Sequence, residues 1–237
     1  RHRLRVPRPR ADPAVTTDPQ DELFDVLDAE GRPTGIAKPR RLVHRDGDWH
    51  GAIHIWIGAI VSGGPAVIYQ RRSRTKDTWP GALDVAVGGH IRAGETLAET
   101  VREAEEELGL ALTLDDLIPI GRRFADWSAD GIIDREAQDV FALRCDQPLA
   151  AYRLHPEEVA AVIAIDIAAA ESLFTGHVDA IPAVERPRDA TEPRPITVRL
   201  PDIAGYGARY PLAALAALSA VLRGEIPQPF KIRTDDG

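Results

Sequence analysis

The stretch from Gly88 to Leu110, GGHIRAGETLAETVREAEEELGL, constrains this chain more than any other. Its second half reads as a helix. Thr96 with Glu99 three residues on fits a capping box, and Gly109 fits a residue closing a helix in the left-handed conformation. At about 100° per residue, Leu97, Val101, Ala104 and Leu108 fall on one arc, a core-facing stripe. Glu99, Glu103, Glu106 and Glu107 fall on another arc, turned well away. That acidic stripe works against local stability, since like charges at i,i+3 and i,i+4 repel by roughly 0.2–0.5 kcal/mol per pair. Carboxylates in the last turn also oppose the helix dipole, by roughly 0.3–1 kcal/mol each. A solvated acidic face is the alternative, but Gly88-Gly89, a following glycine and the central Arg102 stand at meaningful spacings beside it. A hard divalent cation, Mg²⁺ or Mn²⁺, turns such repulsion to use because it binds clustered oxygens.

Gly89, Glu95, Arg102-Glu103, Glu106-Glu107 and Gly109-Leu110 resemble the Nudix box, G-x5-E-x7-R-E-U-x-E-E-x-G-U with U aliphatic, the signature of the Nudix hydrolases. Gly89 to Glu95 keeps the five-residue gap of the pattern. Glu95 to Arg102 spans six residues instead of seven, and Ala104 is a small choice for U. The shortening falls at the loop-to-helix junction, so Glu95 is expected out of its usual place while the REAEEELGL block stays intact. The resemblance implies an α/β (α+β) fold, an α/β/α sandwich with a mixed sheet. It also implies Mg²⁺ or Mn²⁺ held by Glu103, Glu106 and Glu107, one of which orients or deprotonates the attacking water, with Arg102 locking the carboxylates by ion pairing. The reaction implied is cleavage of a diphosphate (pyrophosphate) linkage in a nucleoside diphosphate derivative or related organic diphosphate. Gly88 and Gly89 are expected to allow tight backbone turning under that metal.

A cationic loop follows a strand at Arg71-Arg72. Guanidinium pairs bidentately with phosphate, which makes Arg71 and Arg72 candidates for substrate binding, with a solvated strand end as the alternative. Gln70-Arg71-Arg72-Ser73, Lys76-Asp77-Thr78-Trp79-Pro80-Gly81, Gly88-Gly89-His90 and the segment Val43–His50 resemble the Nudix branch near isopentenyl-diphosphate isomerase. That isomerase holds a divalent metal with three histidines and two glutamates. By position His50 and His90 match two of the histidines, and His44 is one residue out of register with the third. Asp134 and Glu136 stand where the two glutamates would be, so the resemblance implies a second metal site. The isomerase places a catalytic cysteine before the Gly-His matched by Gly89-His90, whereas here Val87-Gly88 precedes. Cys145 lies elsewhere, on a late strand, and reads as a small core residue. Glu157-Glu158 offer a further carboxylate pair of the kind many Nudix enzymes use, or a solvated loop. The competing classes are an isopentenyl-diphosphate isomerase-like enzyme and a non-catalytic nucleotide-binding Nudix regulator.

The 237 residues suit one core with extensions better than two full domains. A net charge of −8 argues against nucleic acid as partner, leaving a small-molecule diphosphate. The single Cys145 excludes an internal disulfide. No apolar run reaches membrane-spanning length and the N-terminal residues lack a signal-peptide core, so a cytoplasmic enzyme with no membrane contact is expected. The chain begins with Arg and has no Met, so its true start is expected to lie outside it. Residues 1–20, Arg- and Pro-rich, read as a flexible tail. The Nudix domain is expected over 21–180, with strands at 53–61, 66–72, 83–87, 117–124, 138–145 and 159–165. The span 181–203 holds five prolines and reads as a Pro-rich excursion or linker. Residues 204–237 form a C-terminal helical extension, Leu212–Leu222, that packs on the parent domain or serves as a homodimer contact.

Overall fold

The computed structural model describes residues 16–129, 131–205 and 207–234. In chain order the elements are β1 (Leu23–Leu27), β2 (Pro33–Pro39), α1 (Arg40–Asp46), β3 (Trp49–Val61), β4 (Gly64–Arg72), β5 (Leu83–Val85) and β6 (Val87–His90). They continue as α2 (Leu97–Thr100), α3 (Arg102–Leu108), β7 (Ile118–Ala129), β8 (Ile132–Arg144), β9 (Val159–Asp166), α4 (Ile167–Phe174), β10 (Ile181–Pro187), β11 (Arg194–Val198), α5 (Arg209–Leu222) and β12 (Phe230–Arg233). The main sheet runs β11-β10-β9-β4-β3-β8-β7-β12. It is mixed, because β3 pairs with β8 and β12 with β7 in parallel while the other neighbours are antiparallel.

Period-two alternation on β3 decides the layers. Ile53, Ile55 and Ile57 pack with Val101, Ala104 and Leu108 of the acidic helical segment. Trp56 on the opposite face packs with Tyr210, Ala214, Leu215 and Leu218 of α5. The sheet therefore lies between the acidic helix on one side and α4–α5 on the other, the expected α/β/α sandwich. Gly58 lets α5 approach closely, since a Cβ there would stand 2.9 Å from Leu218.

Local helix signals read correctly at both ends and missed a break. Thr96 and Glu99 form the capping box, and Gly109 closes the segment at φ 71°. The expected continuous helix is interrupted at Val101. Thr100 Oγ1 donates to the Thr96 carbonyl at 3.0 Å, the kind of back-bond that bends helices.

The Pro-rich span is not an excursion. β10 and β11 form an antiparallel hairpin that extends the sheet from β9. Its prolines are tolerated where a strand needs no donor: Pro187 ends β10, and Pro195 lies on the outer strand β11. Its charges pair: the Glu185 carboxylate accepts from Arg71 at 2.8 Å and from Arg194 at 2.8 Å. Residues 1–15 of the expected tail lie outside the described residues. Residues 16–20 are tied down, because Thr17 N–H donates to Thr75 O at 3.1 Å and Asp18 is only 5% exposed.

Candidate active site

Arg102 organises the acidic segment. Its guanidinium takes both oxygens of Glu95, at 2.7 and 3.2 Å, and its Nη1 donates to Glu103 at 2.5 Å and Glu106 at 2.7 Å. Glu107 lies behind them, 3% exposed, accepting from Gly88 N–H at 3.2 Å and Gln70 Nε2 at 3.1 Å. Burial pushes Glu103 up to about 7, opposed by Arg102 and reinforced by Glu106. Burial, then the charges of Glu103 and Glu158, pushes Glu107 well above the usual carboxylate range. Carboxyls this reluctant to ionise are a fit for a hard cation, which would supply the charge that one arginine does not.

Gly88 and Gly89 do not turn the chain. They lie extended in β6, and their small size serves close approach instead. A Cβ at Gly89 would stand 2.4 Å from Glu103 Cδ, and at Gly88 3.3 Å from Val85.

A cleft of about 140 Å³ is lined by Gly88, Gly89 and His90 of β6 together with Glu103, Glu106, Asp134 and Glu136. Strand register builds its floor. Gln138 stands between Arg123 and Ala52, Glu136 between Ala125 and His50, and Asp134 beside Trp127. The small side chains of Ala52 and Ala125 leave the space.

Of the two candidate arginines, Arg72 lines this cleft and Arg71 does not. Arg72 is held from below, donating to Asp84 at 2.9 Å and to the Thr78 carbonyl at 3.0 Å. Arg71 lies across the strand on a separate groove with Glu185, so alternation along β4 removes it from the site. Lys76 takes its place in the cleft. Its Nζ lies 2.6 Å from Asp18 and 3.2 Å from Glu158. Sequence reasoning passed over Lys76, although it stands in the same cationic loop. Glu158 reaches the cleft, and Glu157 is exposed outside it.

The histidines converge from separate elements: His44 from α1, His50 from β3 and His90 from β6, meeting Asp134 and Glu136 on β8. The Nε2 atoms of His44 and His50 and Asp134 Oδ1 are buried with no hydrogen-bond partner among the described residues, and His90 Nε2 lies 3.0 Å from Glu136 Oε1. One ligand atom from each lies within 4.8 Å of the others. Phe24 stacks on His90 and His50, with ring centroids 4.8 and 5.3 Å away, and closes one side. Burial, and after it Arg40, takes His44 down to about 2, while burial takes His50 to about 3. Both imidazoles are thus neutral near pH 7, with lone pairs available. Burial and then Glu136 push Asp134 well above its usual range. Glu136 is held well below its own, against burial, by His90 and His50.

This donor set fits a divalent metal, His50 most clearly. Its Nδ1 lies 3.2 Å from the Asp48 carbonyl, a bond in which nitrogen must donate, so Nε2 carries the lone pair. His90 is different. Arg40 Nη1 lies 3.1 Å from its Nδ1, and a guanidinium has only hydrogens to offer. Nδ1 therefore accepts, and Nε2 carries its hydrogen toward Glu136 Oε1, 3.0 Å away.

Cys145 follows β8 by one residue and is half-buried rather than a core strand residue. No helix among the described residues is long and apolar enough to cross a membrane.

The model of the NUDIX domain matches residues 53–184. Nudix hydrolase 3 of Arabidopsis thaliana is 44% identical over 147 residues, covering 60% of this chain and 19% of that protein. The chain thus spans about a fifth of that relative. An uncharacterized Nudix hydrolase of Clostridium acetobutylicum is 32% identical over 162 residues, 68% of this chain and 78% of that one. Isopentenyl-diphosphate Delta-isomerase of Escherichia coli is 32% identical over 124 residues, 52% of this chain and 66% of that one.

Proposed function

Since the chain belongs to the Nudix family, with hydrolases and isopentenyl-diphosphate isomerases among its relatives, we propose that it is a Mg²⁺- or Mn²⁺-dependent hydrolase. Its substrate is a nucleoside diphosphate derivative or related organic diphosphate, cleaved at the diphosphate linkage. The observation that carries this reading is the single Arg102 gathering Glu95, Glu103 and Glu106 at the edge of a cleft that also presents Arg72 and Lys76.

The divisions of labour follow from the contacts. Glu103 and Glu106 would hold the cation at the cleft surface, with Glu107 beneath them. When bound, such a cation neutralises charge developing on phosphate oxygens and lowers the pKa of a bound water. Arg102 keeps the carboxylates facing one point. Arg72, fixed by Asp84 and Thr78, and Lys76, held between Asp18 and Glu158, bring positive charge to the phosphates. One of Glu103, Glu106 and Glu107 would orient or deprotonate the attacking water. The test is a screen of diphosphate substrates with and without Mg²⁺. Metal-dependent release of the two halves supports the reading. Absence of release across nucleotide sugars, dinucleotides and simple organic diphosphates would point to the nucleotide-binding regulator, against which the intact carboxylates weigh.

The imidazole–carboxylate cluster supports a second reading, an isomerase-like enzyme acting on isopentenyl diphosphate with metal held by His44, His50, His90, Asp134 and Glu136. Gly88 stands where that chemistry would place its cysteine.

A further inference from the structure

A line of polar contacts runs across the sheet face beneath α5 and ends on the imidazole–carboxylate cluster. It begins at Tyr210, in the first turn of α5 and beyond the matched span 53–184. The Tyr210 hydroxyl is fixed by Trp56 Nε1, which donates to it at 2.9 Å, and by His54 Nδ1 at 2.8 Å. The Tyr210 ring carries the Arg123 guanidinium, whose Cζ lies 4.6 Å from the ring centroid. Arg123 is 4% exposed, and its Nη1 donates to Gln138 Oε1 at 3.0 Å. Gln138 Nε2 in turn donates to Glu136 Oε2. The other Glu136 oxygen lies 3.0 Å from His90 Nε2 and 3.9 Å from His50 Nε2.

From Arg123 onward each hydrogen bond has only one polarity. A guanidinium has no acceptor, so Gln138 must present its oxygen to Arg123. Its amide hydrogens then face Glu136, which can answer only as an acceptor. Were the amide turned over, its oxygen would meet a carboxylate oxygen, and Glu136 would be drawn toward its protonated form or away from the cluster.

We infer that Arg123, seated on the Tyr210 ring, is a positioning residue that acts through Gln138 to hold Glu136 as an oriented carboxylate facing the imidazoles. The C-terminal helix thereby takes part in a site whose other members lie far upstream, His44 and His50 ahead of the matched span 53–184 and His90, Asp134, Glu136 and Gln138 within it. The inference rests on the reading of the cluster as a metal site and is independent of the hydrolytic chemistry at Glu103–Glu107.

The test is Co²⁺ binding to the metal-stripped full chain, followed by the visible absorption of histidine-ligated cobalt. Wild type and His50→Ala are compared first, so that the signal is assigned to the cluster. Loss of a hydrogen-bonding partner to a metal ligand lowers affinity by about 10–100-fold. Arg123→Met is expected to weaken Co²⁺ binding by at least about tenfold, and Gln138→Met to do the same. Arg123→Lys, which can also only donate, is expected to recover most of that loss; a packing role alone would not distinguish Lys from Met in this way. Affinities for Arg123→Met and Gln138→Met within threefold of wild type would overturn the inference. If Arg123→Met does not fold, Gln138→Met decides, because it breaks the contact to Glu136 while leaving Arg123 on Tyr210. Wild type that shows no His50-dependent cobalt signal would remove the metal-site reading and this inference with it.

Discussion

Arg102 chelates Glu95 with two nitrogens, at 2.7 and 3.2 Å, across a gap one residue shorter than the family pattern. The shortened junction was expected to displace Glu95. Instead the helix breaks at Val101, between the two residues, so their separation is freed from regular helical spacing. Glu95 thus fixes the guanidinium that aligns Glu103 and Glu106. Glu95→Gln is expected to lower kcat/KM by about 10–100-fold, or about 1.4–2.7 kcal/mol. Steady-state kinetics on a hydrolysed diphosphate checks this, and an unchanged value would return Glu95 to a bystander.

Glu107→Gln is expected to cut turnover by about 10³-fold, roughly 4 kcal/mol in the barrier. The glutamine keeps a carbonyl oxygen for the Gly88 and Gln70 donors, so folding should survive. Without metal the variant should melt no lower than wild type, since a buried acid has been replaced by a neutral amide. Thermal melts in chelator beside Mg²⁺-dependent rates separate the two effects, and equal rates would remove Glu107 from the site.

The raised pKa of Glu103 sets a pH dependence in the metal-free protein. Folded, the group titrates near 7; its unperturbed value is 4.5. Between those values the folded state binds a proton that the unfolded state has released, so this contribution to stability declines as pH rises from about 4.5 to about 7. Glu103→Gln should flatten that part of the profile in chelator. In wild type Mg²⁺ should restore stability most at the high-pH end, where the carboxylate no longer needs its proton. Identical wild-type and Glu103→Gln melting profiles across this range would contradict the assignment.

Arg40 holds His90 in the tautomer whose Nε2–H faces Glu136. Metal binding through His90 Nε2 then requires Arg40 to withdraw. Arg40→Gln offers a carbonyl that can accept from Nδ1–H, and it is expected to tighten Co²⁺ binding about fivefold, about 1 kcal/mol. The same change removes the charged partner of Asp77, which Arg40 contacts at 3.2 Å through two nitrogens, so the melting temperature should fall. Lower stability with unaltered cobalt affinity would mean that His90 stays outside the metal shell.

Isomerase chemistry needs an acid and a base about an alkene carbon. Gly88 provides neither, and the half-buried Cys145 does not line the cleft. Isopentenyl diphosphate incubated with the enzyme and Mg²⁺ is expected to give no dimethylallyl isomer, and Cys145→Ala to keep hydrolysis within twofold. Product separation after incubation checks the first outcome. Appearance of the isomer at catalytic rates would move His44, His50, His90 and Glu136 to the centre of the mechanism.

What the sequence by itself determined is local. The capping box at Thr96 and Glu99, the left-handed Gly109, the apolar stripe of Val101, Ala104 and Leu108 and the alternation along β3 are set by contacts within about one helical turn or one strand pleat. The Arg102–Glu107 block and its charge conflict were visible for the same reason. The resemblance already grouped His44, His50 and His90 with Asp134 and Glu136, but only the tertiary structure decided the contacts within that group and which other charges share a space. Parallel pairing of β3 with β8 brings His50 opposite Glu136, and no short-range preference encodes that register. Chain folding also puts Asp18 against Lys76, Glu185 between Arg71 and Arg194, and Arg123 between Tyr210 and Gln138. A buried charge is stable only beside its partner, and here those partners come from distant strands and both chain extensions. The cleft is therefore a property of sheet register, whereas the helix beside it is a property of its own residues.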